Sequence, residues 1–539
     1  MNKFLKNLWI LKEFYPAQLV LLVFAPIIIG SFIDYELLDS RYIIINLIWL
    51  SLFTVPAALL KSKYIYRITV LVYFVLGFIE ISHWIILQGP LTITSILVLS
   101  NTNYQEAVEF LDLKATAGLL VLIPYIFILI YSFRNTPKYQ QSQFKLYAAG
   151  LLLLISLIFI VDNVVNGRFI RKSTPQIVKV TLSFFDQIKL YHELKIDVSP
   201  REIAIDSEVN SNTQTFVLII GESCNRKHMS LYGALRPTTP KLDSRNDLLV
   251  FKDVISPYSN TINSVLTILS QSNLENKISF KNSIDILDVF SSAGYKTYWL
   301  SNQPPLGVWE NMVTIFANKA DQRYFTNTVS NSSMEATLTT SYDSKLFAPF
   351  SKTLNEDANK KLIVLHLMGN HSSYAKRYPS DFDVFEGSGK QENIIAQYDN
   401  SIYYNDFVVD SLLNILNEFS TLNSNNIASA IYLSDHGENV YDELNRVGHD
   451  YSNVLPKANV EIPFLVWVSP AYLKINSSKV SAMRSNIDKP YVSDDLFHSI
   501  MDLNNINCEY FEEKRSLINM ELDTTRIRIL EDGKDYDRK

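Results

Sequence analysis

Long runs without a single charge, all confined to the first third of the chain, constrain this sequence more than anything else in it. Residues 15–33, 42–60 and 115–133 contain no Asp, Glu, Lys or Arg. Residues 68–87 are apolar apart from Glu80 and His83, and 146–165 carry one acid, Asp162. A helix crosses the hydrocarbon core of a bilayer with roughly 17–25 apolar residues, so the pattern predicts five transmembrane helices. No short apolar core followed by a small-residue cleavage site is present, so the first run reads as a span rather than a cleaved leader. After about residue 166 charged and polar residues are dense. The chain-wide averages, 47% hydrophobic and 19% charged over 539 residues, hide this split. It excludes a single soluble domain and a disordered chain alike. A net charge of −6 argues against a nucleic-acid partner, which would require a basic face.

Lys and Arg in short loops set orientation. Lys3, Lys6, Lys12, Lys61, Lys63, Arg67, Arg134, Lys138 and Lys145 fall on one side; the first two loops of the other side offer only Arg41 and Lys114. The first set should be cytoplasmic, which places everything after the fifth helix outside the inner membrane. The loop 88–114 is mildly apolar and reads as lying on the membrane surface. Glu80, near its helix end, reads as interfacial. Residues 167–200 interleave Arg168, Arg171, Lys172 and Lys179 with Ile170, Ile177, Phe184 and Phe185, the pattern of an amphipathic helix in the interface. The division expected is therefore 1–166 membrane, 167–200 bridge and 201–539 external domain.

Within that last part, short β-branched runs alternate with helical patterns: TFVLII at 215–220, YKTYWL at 295–300, LIVLHL at 362–367, ASAIYL at 428–433 and IPFLVWV at 462–468. Helical stretches at 283–292, 397–416 and 493–502 lie between and after them. Buried strands separated by helices imply an α/β fold whose mostly parallel sheet is covered by helices on both faces. Ligands of such sheets sit at the carboxyl ends of the strands. The first four strands run out into Gly221-Glu222-Ser223, Ser301-Asn302-Gln303, Met368-Gly369-Asn370-His371 and Ser434-Asp435-His436-Gly437-Glu438. Glu222, Asp435 and His436 make an oxygen, oxygen and nitrogen set suited to a divalent ion such as zinc. Asp435-His436-Gly437 alone also reads as a turn, with Gly437 supplying a positive φ. A metal beside a protein hydroxyl turns that hydroxyl into a nucleophile at neutral pH. Thr261, at the start of the helix-like run 261–269, is the candidate; it also reads as a plain N-cap. Thr267 lies inside the apolar pattern and reads as packed. His192, His228, His366 and His498 read as solvated or structural. Two cysteines, Cys224 and Cys508, leave room for one disulfide and no cysteine-cluster metal site.

These residues resemble a known family. Gly221-Glu222-Ser223 with Arg226, Ser230-Leu231-Tyr232-Gly233 and Arg236-Pro237-Thr238-Thr239-Pro240 is similar to the first motif of the phosphoethanolamine transferases, inner-membrane enzymes of the alkaline phosphatase/sulfatase-like superfamily. Residues 366–371 and 376–379, Tyr398-Asp399-Asn400-Ser401-Ile402, 434–438, Gly448-His449, Ile462-Pro463 and 495–498 continue the match along the chain. The resemblance implies Glu222, Asp435 and His436 as zinc ligands, with one zinc or two, and Thr261 as the nucleophile that carries phosphoethanolamine. It implies His371 and His449 at the substrate phosphate, a second zinc or the acid–base step, and Asn302 at the substrate. The implied reaction is ping-pong, from phosphatidylethanolamine to a lipopolysaccharide core sugar or lipid A, releasing diacylglycerol; a monomer is expected. The stretch 259–264 lacks the cysteines of the lipid A-modifying branch and resembles the branch that decorates core sugars. A phosphoglycerol transferase, a phosphoester hydrolase and an inactive binding domain are the alternatives.

Overall fold

The computed structural model describes residues 16–32, 40–87, 120, 122–137, 143–165, 182, 185, 200–206, 213–303, 308–326, 341–423, 426–449 and 455–538. The surface loop expected at 88–114 lies outside the described residues, as does all of the expected bridge at 167–200 except Leu182, Phe185 and Pro200. The chain divides into two compact units, Met1–Gln187 and Ile188–Lys539.

Each of the five apolar runs contains a helix: α1 (Ala17–Ser31), α2 (Ser40–Leu59), α3 (Lys63–Leu87), α4 (Leu122–Arg134) and α5 (Gln143–Val165). Within α3, Lys63–Ile85 has spanning length; the apolar stretches of the other four, Ala17–Ser31, Ile43–Leu59, Leu122–Arg134 and Tyr147–Val161, are shorter. Residues 115–119 and 121, at the start of the fourth apolar run, lie outside the described residues. Large apolar side chains such as Leu71, Phe127, Leu154 and Ile158 face outward, as a surface against hydrocarbon requires. Inside, Leu19, Leu22, Val70, Tyr73 and Tyr125 pack together.

One contact in this unit answers a backbone problem. Pro26 sits inside α1 and has no N–H, so the carbonyl of Leu22, four residues back, loses its helical donor. Unmet backbone groups are expensive away from water. The Tyr125 hydroxyl of α4 supplies the donor, 2.8 Å from Leu22 O and 3.2 Å from Tyr73 O. Gly77 makes room for it: a Cβ there would lie 2.0 Å from the Tyr125 oxygen.

The second unit is built on a seven-stranded sheet. Its strands are β1 (Gln214–Gly221), β2 (Leu248–Phe251), β3 (Lys296–Ser301), β4 (Gln322–Phe325), β5 (Lys360–His366), β6 (Ile427–Ser434) and β7 (Phe464–Val468), in the order β2-β7-β6-β1-β5-β3-β4. β6, β1, β5, β3 and β4 are parallel neighbours. β7 is a strand, as its apolar run suggested, but it runs antiparallel to both β6 and β2. Strand alternation divides the core in two. Phe216, Leu218 and Ile220 face one layer with Leu362, Val364 and Leu433. Val217 and Ile219 face the other with Ile363, Leu365 and Tyr432.

The helices α6 (Thr261–Ile268), α7 (Ile286–Ser292), α8 (Val308–Lys319) and α11 (Leu496–Leu503) close the first layer; α9 (Phe347–Leu354) and α10 (Lys390–Leu422) close the second. The expected sheet with helices on both faces is therefore present. β1, fully buried along its length, is paired with β5 and β6 in register. The loops after these three strands consequently leave the sheet side by side, and that edge is where the polar residues of the sequence converge.

Tyr125→Phe should lower the stability of the detergent-solubilised protein by about 1 kcal/mol, the usual worth of a hydrogen bond between membrane helices. Gly77→Ala should cost more, because it displaces the hydroxyl rather than deleting it. Thermal unfolding of the two variants beside the parent protein measures both.

Candidate active site

Four polypeptide segments converge beyond the carboxyl end of β1. Glu222 follows β1 directly and is 1% exposed. Ser223, next in the chain, has φ 55°, a left-handed conformation disfavoured for a residue with a side chain. It is held there from three sides. Its N–H donates to Asp435 Oδ1 (3.1 Å), its hydroxyl to Glu222 Oε1 (2.7 Å), and its carbonyl accepts from Tyr398 of α10 (2.7 Å). Such strain persists only where the surroundings over-determine it. Two glycines allow the neighbouring loops to close in. A Cβ on Gly369 would lie 2.7 Å from Glu222 N, and one on Gly437 would lie 2.1 Å from Ala458 O. Gly369 has φ +51°. Gly437, expected to provide a positive φ, is required instead for this close approach.

After β6, Asp435 and His436 are fully buried. The His436 ring donates from Nδ1 to the Gly437 carbonyl at 2.7 Å, which fixes the tautomer and turns Nε2 inward. Nε2 lies 3.3 Å from Glu222 Oε1 and 3.5 Å from Asp435 Oδ2. Thr261 Oγ1 donates to Glu222 (3.0 Å to Oε2) and lies 3.4 Å from His436 Nε2. Thr261 is free for this because it is not the cap of α6: Asn260 is, accepting from Asn263 N at 3.1 Å. The sequence left a capping role for Thr261 open, and the fold gives that role to Asn260. Thr267 bonds back to Asn263 O and Ser264 O inside the helix, as its packed position suggested.

The donor set of Glu222, Asp435 and His436 fits a divalent cation on geometry: one ligand atom from each lies within 4.8 Å of the others. Asp435 Oδ2 is a buried carboxylate oxygen without a hydrogen-bond partner in the protein. The electrostatics agree. Burial, followed by the charge of Glu222, pushes the Asp435 carboxyl up to about 7. Burial opposes charge on His436, but Asp435 and Glu222 outweigh it and raise the imidazole to about 10. Two buried carboxylates here demand positive charge, and a cation meets that demand with oxygen and nitrogen ligands.

A second group adjoins the first. The His449 ring packs against His436 with centroids 4.4 Å apart and the planes inclined by 51°. Its Nδ1 meets Glu438 Oε2 at 2.6 Å, and Glu438 accepts from the Tyr374 hydroxyl at 2.6 Å. His436, Glu438 and His449 also satisfy metal-ligand spacing. His371 is half-buried; loss of hydration pushes its imidazole down to about 4, with Glu222 opposing and Arg377 adding to the shift. Asn302 is not with them. It is buried with its amide committed to Ser341 O and Asp343 and its oxygen to Thr326 and Ser341. The adjacent Gln303 is the one that reaches the site, donating to Glu222 Oε2 at 3.1 Å and to Leu367 O at 2.9 Å. Cys224 and Cys508 are both free and buried.

His228, expected to be a solvated loop residue, is wedged between Asp399 (2.6 Å) and Asp442 (2.9 Å). His366 is buried as expected, but its Nε2 has no hydrogen-bond partner. His498 is structural, accepting from Glu512 N.

Comparison with known proteins agrees with this architecture. The Sulfatase family model matches residues 214–506. The phosphoethanolamine transferase EptC of Escherichia coli K12 is 28% identical over 519 residues, covering 89% of this chain and 87% of that protein. The phosphoethanolamine transferase CptA of Salmonella typhimurium is 27% identical over 515 residues, covering 89% and 87%. Among solved structures, the C-terminal periplasmic domain of Escherichia coli EptC in complex with Zn is 30% identical, covers 63% of this chain and 97% of that one, and superposes with a TM-score of 0.56. The integral membrane lipooligosaccharide phosphoethanolamine transferase A of Neisseria meningitidis, 16% identical, shares the fold over 95% of this chain and 97% of its own, with a TM-score of 0.65. That likeness takes in the N-terminal helices as well as the sheet-based unit.

His436→Ala should strip zinc from the purified protein, measured by metal analysis, whereas Thr261→Ala should keep it. His228 generates a separate expectation. Burial opposes its charge, but Asp399 and Asp442 raise it to about 9. The ordinary value is about 6.5, so this stabilisation is complete below that pH and is lost as pH rises through 9. His228→Gln should flatten that alkaline part of the stability profile, read by denaturant unfolding at stepped pH.

Proposed function

The chain belongs to the sulfatase family, and from that premise we propose that it is a membrane-anchored phosphoethanolamine transferase acting from phosphatidylethanolamine onto lipopolysaccharide. One observation carries the reading: a hydroxyl, that of Thr261, is hydrogen-bonded at 3.0 Å to a carboxylate of the buried Glu222, Asp435 and His436 cluster. The relatives along most of the chain are phosphoethanolamine transferases, and the Zn-bound relative supports zinc as the ion.

Glu222, Asp435 and His436 would hold that ion; when bound it lowers the pKa of an adjacent hydroxyl and offsets phosphoryl charge. The chain's own residues do the rest. Thr261 stands at the first position of α6, so the positive end of that helix lies beside the reacting oxygen, where it favours a phosphate. Oγ1 gives up its proton and attacks the donor phosphorus. The bond from phosphorus to the glyceride oxygen breaks, and that oxygen leaves as diacylglycerol after taking a proton. An acceptor hydroxyl or phosphate then attacks the phosphorus of the phosphoethanolaminyl-threonine, the bond from phosphorus to Oγ1 breaks, and Oγ1 takes back a proton, which returns Thr261 to its starting state. His449, held through Nδ1 by Glu438, would move these protons. His371, neutral at physiological pH, is suited to a hydrogen bond with the phosphate. Gln303 and Ser223 keep the Glu222 carboxylate aimed at Thr261. Asn302 supports the loop and takes no part at the substrate.

A lipid donor accords with the membrane unit. In this reading residues 1–166 cross the inner membrane five times, 167–200 bridge along its surface, and the catalytic domain lies in the periplasm. The basic residues of the short loops support that orientation.

Mass spectrometry of the protein incubated with phosphatidylethanolamine should find phosphoethanolamine on residue 261, and Thr261→Ala should abolish both adduct and turnover while the fold persists. No adduct from phosphatidylethanolamine, with a glycerol phosphate adduct when phosphatidylglycerol is supplied instead, would overturn the head-group assignment. Mass analysis of lipopolysaccharide from cells with and without the protein should then locate the added group on core sugar or lipid A.

A further inference from the structure

The residues that aim Thr261 are not all in the region matched by the family model, which stops at residue 506. We propose that residues 528–537 form a strut against the Thr261 loop, with Glu531 as the positioning residue; this rests on the reading of Thr261 as the reacting group. Glu531 meets the loop at three points. Its N–H donates to Pro257 O at 2.9 Å. Its Oε1 accepts from Ser259 N at 3.0 Å and from the Ser259 hydroxyl at 2.6 Å. Its Oε2 accepts from the side chain of Asn260 at 3.4 Å. Asn260 is the cap of α6, and Thr261 is the residue after it. One carboxylate thus fixes both residues that precede the nucleophile.

The strut is itself anchored. Leu530 N donates to Lys534 O at 2.8 Å, folding the segment back on itself. Leu530 and Tyr536 bury against Ile255, Val460 and Val492. Arg528 pairs with Asp253 at 2.7 Å, at the start of the loop that Glu531 holds. The Tyr536 hydroxyl donates to Glu461 at 2.6 Å. Two residues before Glu461, Asn459 accepts from Gly437 N at 2.8 Å and donates to His449 O at 3.1 Å. The same segment therefore braces the nucleophile loop directly and, through 459–461, the loop that carries His436 and His449.

Glu531 is exposed, so its hydrogen bonds add little to global stability. Aim is a different matter, since a misplacement of about 1 Å can cost a reaction roughly a hundredfold. In the full-length protein, Glu531→Ala should lower kcat for phosphatidylethanolamine turnover by about tenfold or more with KM, zinc content and melting temperature held. Glu531→Gln, which keeps an acceptor oxygen for Ser259, should restore most of the rate. Hydrogen exchange should show faster exchange at residues 259–263 in Glu531→Ala and not in Glu531→Gln. Unchanged kcat with unchanged exchange at 259–263 would overturn the proposal, as would parallel losses of rate, zinc and melting temperature in both variants. If the unaltered protein does not consume phosphatidylethanolamine, the transferase reading fails, and the exchange measurement still decides whether Glu531 holds the loop.

Discussion

Two carboxylates buried side by side set the terms for the whole catalytic unit. Glu222 and Asp435 sit at the ends of adjacent strands, both almost without solvent. Like charges at that depth repel strongly, because little water remains to screen them. The protein answers part of this with donors: Ser223 and His436 N–H groups to Asp435; Ser223, Thr261 and Gln303 to Glu222. It answers the rest with the imidazole of His436. A tight cluster of negative charge kept inside a stable fold is suited to hold a cation.

The sheet supplies the precision. β1 lies between β5 and β6, in register with both along seven or eight positions. The loops after these strands therefore cannot drift relative to one another without breaking a ladder of backbone hydrogen bonds. Helix α6 comes from outside the sheet, and its placement depends on packing: Ile262, Val265 and Leu266 bury in the layer that also holds Leu218 and Ile220. The apolar side of that helix thus determines where its first residue presents a hydroxyl. Packing and chemistry are two faces of one eight-residue element.

Much of this was legible in the sequence, and the exceptions have particular causes. The interior strands announce themselves as unbroken apolar runs because both of their faces are covered. β4 does not, since Gln322, Arg323 and Tyr324 lie exposed at the sheet edge, and β2 is only four residues long. Glu222, Asp435 and His436 could be picked out because each lies just past the end of a strand. Asn302 and Gln303 also do, both carry amides, and only the local turn decides which of them reaches Glu222. Asn260 and Thr261 are both good caps, so the order of their duties is invisible until the loop is built. The partners of His228 lie 171 and 214 residues away, and no local pattern announces them.

In the N-terminal unit, Pro26, Tyr125 and Gly77 form a set with shared fortunes. Without the proline, the Leu22 carbonyl would regain its helical partner and the tyrosine would compete for it. Without the glycine, the ring would have nowhere to lie. The three residues are thus coupled through one carbonyl, so the effect of replacing any one of them depends on the other two.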